Sequence, residues 1–205
     1  MNARRLVRTA TFASAVLAMS ACAGVPFSTL WHYRDFGPKD FLRTDPSALR
    51  AAIQLDDGVS LGGKQPRLNV DLQFKGAPAQ KFSMPLKVIA QGPWVGAGTG
   101  AAVKGRHWYL MALSGKGVAE YRDLQKAIAR HVDASGQIDK AGSIRIFVQT
   151  AHLRFDDAER KRLRDSGHMF MQARLELSRK DGFYTLYKGT MKVHLKMLRQ
   201  RPNAG

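Results

Sequence analysis

The sequence predicts a mainly β chain: an antiparallel β-sandwich of about seven strands with one inserted helix and one short basic helix. Three observations carry this. Apolar and polar residues alternate with a period of two in several stretches between residues 46 and 198, the pattern of half-buried strands. Short Gly-containing loops separate these stretches, as in hairpins. One stretch alone has a clear helical stripe. The same element order also permits an α+β single sheet with a helix on one face.

Taken in order, Leu49, Ala51, Ile53 and Leu55 alternate with Arg50, Ala52 and Gln54, and Asp56-Asp57-Gly58 ends this strand in a turn. Asp45-Pro46 just before it also fits a helix start, but the period of two favours the strand. Leu68, Val70, Leu72 and Phe74 form one face of the next strand, and Phe82, Met84, Leu86 and Val88 that of its hairpin partner. Pro85 cannot donate to a ladder, so its strand lies at an edge or bulges there. Residues 90–105 form a glycine-rich loop. Its Gly96-x-Gly98-x-x-Ala101 is not a dinucleotide fingerprint, because strand 106–113 follows where a helix is needed.

Residues 118–132 carry the helical stripe: Tyr121, Leu124, Ile128 and Val132, with Ser135-Gly136 as the stop. Residues 143–155 are apolar on both sides, which predicts a central strand. Asp156 to Glu159 matches a capping box with Asp in place of Ser or Thr, opening a short basic helix that ends at Ser166-Gly167. In the last hairpin, apolar residues are odd-numbered in both strands, so odd must pair with odd. A three-residue loop, Lys180-Asp181-Gly182, satisfies this with Gly182 left-handed. It sets Leu175 opposite Tyr187, Met171 opposite Met191, and Arg174 opposite Lys188. Arg174, Lys188, Lys192, His194 and Lys196 then share one cationic face, the candidate anion-binding site. A solvated basic face is the plainer reading of the same residues.

The start of the chain stands apart. Arg4, Arg5 and Arg8 precede an apolar stretch, residues 9–21, that is too short to span a bilayer. Ser20-Ala21-Cys22 follows Leu17-Ala18-Met19, with Met19 in place of the usual Leu. This stretch resembles the signal peptide and lipobox of bacterial lipoproteins, and the resemblance covers only these first residues. It implies a signal peptide at 1–21, lipidation of Cys22 (the chain's single cysteine), palmitate-class acyl chains in a membrane leaflet and, with Ala23 next, the outer membrane facing the periplasm. An ordinary secretory signal or a mitochondrial transit peptide are the other readings of these residues. Residues 22–45 would then be a lipidated tether and an aromatic lead-in packed on the domain, 46–198 a β-rich domain, and 199–205 a tail.

Lys and Arg number 33 against 16 Asp and Glu, a net charge of +17. Such a balance favours anionic partners. In an envelope these are an acidic protein or an anionic glycolipid, with nucleic acid out of place. No intrachain disulfide can form, so packing alone holds the fold. The six histidines have no HExxH or other paired metal-ligand spacing, and there is no Gly-x-Ser-x-Gly elbow. The sequence therefore argues for a non-catalytic binding or scaffold module with no cofactor and no metal. A hydrolase site near residues 90–105, using His107 and nearby acids, is the remaining catalytic candidate.

Overall fold

The computed structural model describes residues 38–63, 65–74, 77–96, 98–131, 143–150, 153–180, 182–194 and 198. The elements run α1 (Pro38–Arg43), β1 (Arg50–Asp56), β2 (Val59–Leu61), β3 (Arg67–Gln73), β4 (Gln80–Gly92), β5 (Arg106–Leu113), α2 (Gly115–Ala129), β6 (Ser143–Gln149), β7 (Leu153–Phe155), α3 (Asp157–Ser166), β8 (His168–Glu176) and β9 (Tyr184–Lys192). Seven strands form one curled antiparallel sheet in the order β6-β3-β4-β5-β1-β8-β9, and β2 pairs with β7 in a small second sheet. The chain is mainly β, as its alternation predicts. Its layers are those of a single sheet with helix α2 against the concave face.

The core lies inside the curl. Ala51, Ile53 and Leu55 of β1 sit beside Met111 and Tyr109 of β5 and beside Leu175, Ala173 and Met171 of β8. Tyr121, Leu124 and Ile128 of α2 complete it, each such burial contributing about 1.5–3 kcal/mol. Helix α2 begins three residues earlier than its stripe predicts, because Ser114 caps it by accepting from Gly117 N–H. The expected end of this helix, with Val132 and Ser135-Gly136, lies outside the described residues. Just past its end His131 stacks on Phe74, centroids 3.8 Å apart. Part of the aromatic lead-in packs as expected: Phe41 is buried against Tyr121. Gln125 holds α1 by donating to the carbonyls of Phe41 and Thr44, both at 2.9 Å.

Strand β4 is internal, yet Pro85 fits it. Residues 80–85 pair with β3 and residues 86–92 with β5, so at Pro85 the β5 side has not begun. The strand is locally an edge there, and the missing N–H removes no ladder bond. Its bulge falls later, between Val88 and Ala90.

Two expectations are corrected. Residues 143–155 are not one central strand. Among the described residues β6 pairs only with β3, at the sheet's edge, and 153–155 leave to pair with β2. Leu153 and Phe155 join the core from that second sheet, so of the second apolar side only Phe147 belongs to β6. The last hairpin keeps odd with odd but slides by two residues: Met169 faces Met191, Met171 faces Gly189 and Ala173 faces Tyr187. A two-residue slip leaves every side chain on its own face, so alternation cannot detect it. A further shift between Ala173 and Arg174 sets Leu175 opposite Tyr184. Seven residues, 177–183, connect the strands instead of three; Gly182 is left-handed as expected (φ 69°).

Helix α3 starts at the expected cap, with Asp156 Oδ1 accepting from Glu159 N–H at 2.7 Å, and ends at left-handed Gly167; the return half of the box is replaced, Asp156 N–H donating to the Gly58 carbonyl. It is fixed to the sheet by charge. Glu159 is buried and takes two bonds from Arg162, which also reaches Asp56 Oδ2 at 2.9 Å. The Glu159 bond, more than any other contact, raises the pKa of the Arg162 guanidinium and holds it charged.

Candidate functional site

The sheet's convex face carries a second buried layer. Even-numbered positions of β1, β5 and β8 point there. Trp108, Gln54 and Gln172 are direct cross-strand neighbours in one row, which continues to Gly92 on β4 and Lys188 on β9. Gln54 is 2% exposed and Trp108 1%. The glycine-rich loop lies against the edge of this layer, at Arg174 and Phe183. Thr99 is buried, and Gly98 lies so close to the Phe183 ring that a Cβ would sit 3.0 Å from it. With φ at 87° and that ring above, only glycine fits at position 98.

Arg174 holds the loop down. Its Nη1 donates to the Gly98 carbonyl at 2.5 Å, and its guanidinium lies over the Trp108 ring at 5.6 Å. With the Gln172 amide oxygen turned toward it, Arg174 also donates through Nε and Nη2 at 2.8 and 3.0 Å. The layer ends at Phe170, whose ring carries Arg106 at 3.4 Å.

Two donors in this layer have no protein acceptor: Gln54 Nε2 and Trp108 Nε1. Leaving a buried N–H unpaired costs about 1–3 kcal/mol. The layer therefore holds a guanidinium and two unused N–H groups on adjacent strands, with no carboxylate among the bonded partners described. It is built to meet an acceptor.

The residues expected to form a cationic face divide. Lys188 and Lys192 are exposed on the convex face of β9, and His194 is exposed just beyond it. Arg174 is on the same face but committed to Gly98, Gln172 and Trp108. It faces Thr185, not Lys188, whose partner is Gln172; the like-charge pair disappears with the register slip. Lys196 and Cys22 lie outside the described residues. His107 bonds Asp57 at 3.1 Å and meets Tyr109 edge-on, on the concave side. Among the described residues no cluster of three or more His, Cys, Asp or Glu can hold a metal, and no helix is long and apolar enough to cross a membrane.

The chain matches no protein-family model, no curated protein and no solved structure. The site is therefore read from its own residues. Sequence reasoning passed over Gln54, Trp108 and Gln172, which alternation assigns to a solvated face. A signal was present: Trp108, Leu110 and Ala112 make strand 106–113 apolar on its convex side as well as its concave one, and a strand apolar on both sides is covered on both.

Proposed function

We propose that the chain is a membrane-anchored envelope lipoprotein, lipidated at Cys22, whose β-rich domain is a non-catalytic binding module for another envelope component. The anchor reading rests on the lipobox-like stretch Ser20-Ala21-Cys22 after a basic and apolar leader. The binding reading is carried by one observation: the buried layer beside the glycine-rich loop, with Gln54 and Trp108 donors left open beside Arg174. A fold that needed only stability would place apolar side chains there. Tethering keeps the domain close to its partner, so modest contacts suffice.

Two measurements test this. Labelled palmitate enters the wild-type protein and is absent from Cys22→Ser if the anchor reading holds. Co-purification from detergent-solubilised envelopes captures a partner whose recovery falls at least tenfold with Arg174→Gln and is unchanged by Lys116→Gln, on the first turn of α2. Equal capture by both variants removes the convex layer from the reading.

A second reading has its own support. Lys188 and Lys192 on β9 and His194 just beyond it are exposed, which suits an anionic glycolipid or phosphate-bearing polymer. Binding to such a polymer then weakens steeply with salt and with Lys188→Gln, Lys192→Gln and Lys196→Gln combined. Binding that ignores both changes eliminates it.

A further inference from the structure

We propose that the buried row Trp108–Gln54–Gln172 with Arg174 is a carboxylate-binding site, and that the Gly98 carbonyl occupies it in the resting protein as a stand-in for the ligand. This rests on the binding-module reading and names its ligand class.

The donor geometry selects the chemistry. Trp108 Nε1 and Gln54 Nε2 belong to direct cross-strand neighbours on the same face, where Cβ atoms are about 4.5–5.5 Å apart. Both are N–H donors with nothing to donate to. Arg174, one strand further on, supplies a full positive charge and a planar fork of N–H groups, a geometry matched to carboxylate. Its Nε and Nη2 are engaged by the Gln172 oxygen, which fixes the plane of the guanidinium. Its Nη1 holds only the neutral carbonyl of Gly98. Arg174 is half-buried at the margin of the buried row and its bond to the exposed Gly98 faces solvent, so a ligand reaches Nη1 from outside and meets a cation bonded to neutral oxygens. A carboxylate would replace the Gly98 oxygen on Nη1 and accept from the two open donors, so each group gains a partner.

The loop is made to yield. Gly98 is held by Arg174 and by contact with Phe183. A β-carbon at Gly100 would lie 3.8 Å from the guanidinium, so the backbone passes directly over Arg174. An arriving carboxylate competes for the same Nη1 bond, and its binding frees the loop. The carboxylate can belong to a small molecule or to a peptide C-terminus; the recognising chemistry is the same.

The test uses the detergent-solubilised full-length protein with 15N in its tryptophan indoles. The signal of Trp108 is assigned by its loss in Trp108→Phe, and exposed Trp94 serves as the internal control. N-acetylalanine, its amide N-acetylalaninamide and inorganic phosphate are titrated at constant ionic strength, and a C-terminal tripeptide acid is compared with N-acetylalanine to separate the two sources. Expected is a saturable downfield shift of the Trp108 indole proton with the acids, at least tenfold weaker binding of the amide, and no matching shift at Trp94. Gln54→Leu and Arg174→Lys each weaken the acid at least tenfold while the dispersed amide signals of the β-sheet are retained, which reports that the fold persists. An unresponsive Trp108 indole exchanging magnetisation with water means the donors serve a resident water, and the proposal falls. Equal response to acid, amide and phosphate also overturns it. Failure of the titration while envelope capture still depends on Arg174 removes the carboxylate class and leaves the binding-module reading standing.

Discussion

Gly117, in the first turn of α2, lies against the carbonyl oxygen of Pro85 so closely that any β-carbon there collides with it. The same oxygen accepts from Ser114 N–H at 2.9 Å, so it cannot withdraw without breaking the helix entry. The expected result of Gly117→Ala is a loss of about 2–4 kcal/mol, the scale of overpacking plus a disturbed cap. Gly115→Ala, with open space at its β-carbon, gains a few tenths of a kcal/mol, up to about 1, from helix propensity. Urea unfolding of the two variants measures the difference.

Replacing Gln54 by Leu removes an unpaired amide from a closed layer. Stability rises by about 1 kcal/mol, read as a higher denaturation midpoint at unchanged slope. A loss of stability means that the amide is satisfied in the folded protein. An increase in stability alongside a loss of ligand is the signature of a residue kept for binding.

Asp56 accepts from Phe170 N–H and from Arg162, both at 2.9 Å, with Arg106 at 3.6 Å. Asp56→Asn removes the charge that two arginines share and leaves α3 tied to β8 through fewer bonds. The expected cost is about 1–3 kcal/mol. Amide exchange then accelerates first in α3 and at the start of β8, ahead of α2.

Glu176 has a raised pKa, because partial burial outweighs the attraction of Arg50 and Arg179. The folded state then binds this proton more tightly than the unfolded one. Stability from this group is present at low pH and is lost as pH rises from the ordinary carboxylate range through the raised value. Glu176→Gln is therefore more stable than wild type at pH 7, with the gap closing as pH falls toward 4. Denaturant midpoints across that range check the sign; a gap that widens on acidification refutes it.

Period-two alternation reveals which residues share a face, and this held for strands 50–56, 67–73 and 168–176. It does not reveal which strands are neighbours: β1 lies between β5 and β8 through long-range pairing that no local pattern encodes. Register is equally hidden when a slip is even-numbered, as between Met169 and Met191. The capping of α3 was readable because Asp156 and Glu159 are three residues apart and act locally. The convex layer was not, because Gln54 is polar in sequence and is buried by tertiary contacts that no local pattern encodes.

The curl of the sheet stops short of closing. Among the described residues, β9 pairs with a strand on one side only, β8, so its other rim is a sheet edge. Lys188 and Lys192 line that rim. A second molecule adding itself there in mirror fashion would bring its own lysines against them, and the repulsion would oppose growth of a ribbon from molecule to molecule. The two cations thus keep an unfinished barrel from being completed by a neighbour, whatever else they meet.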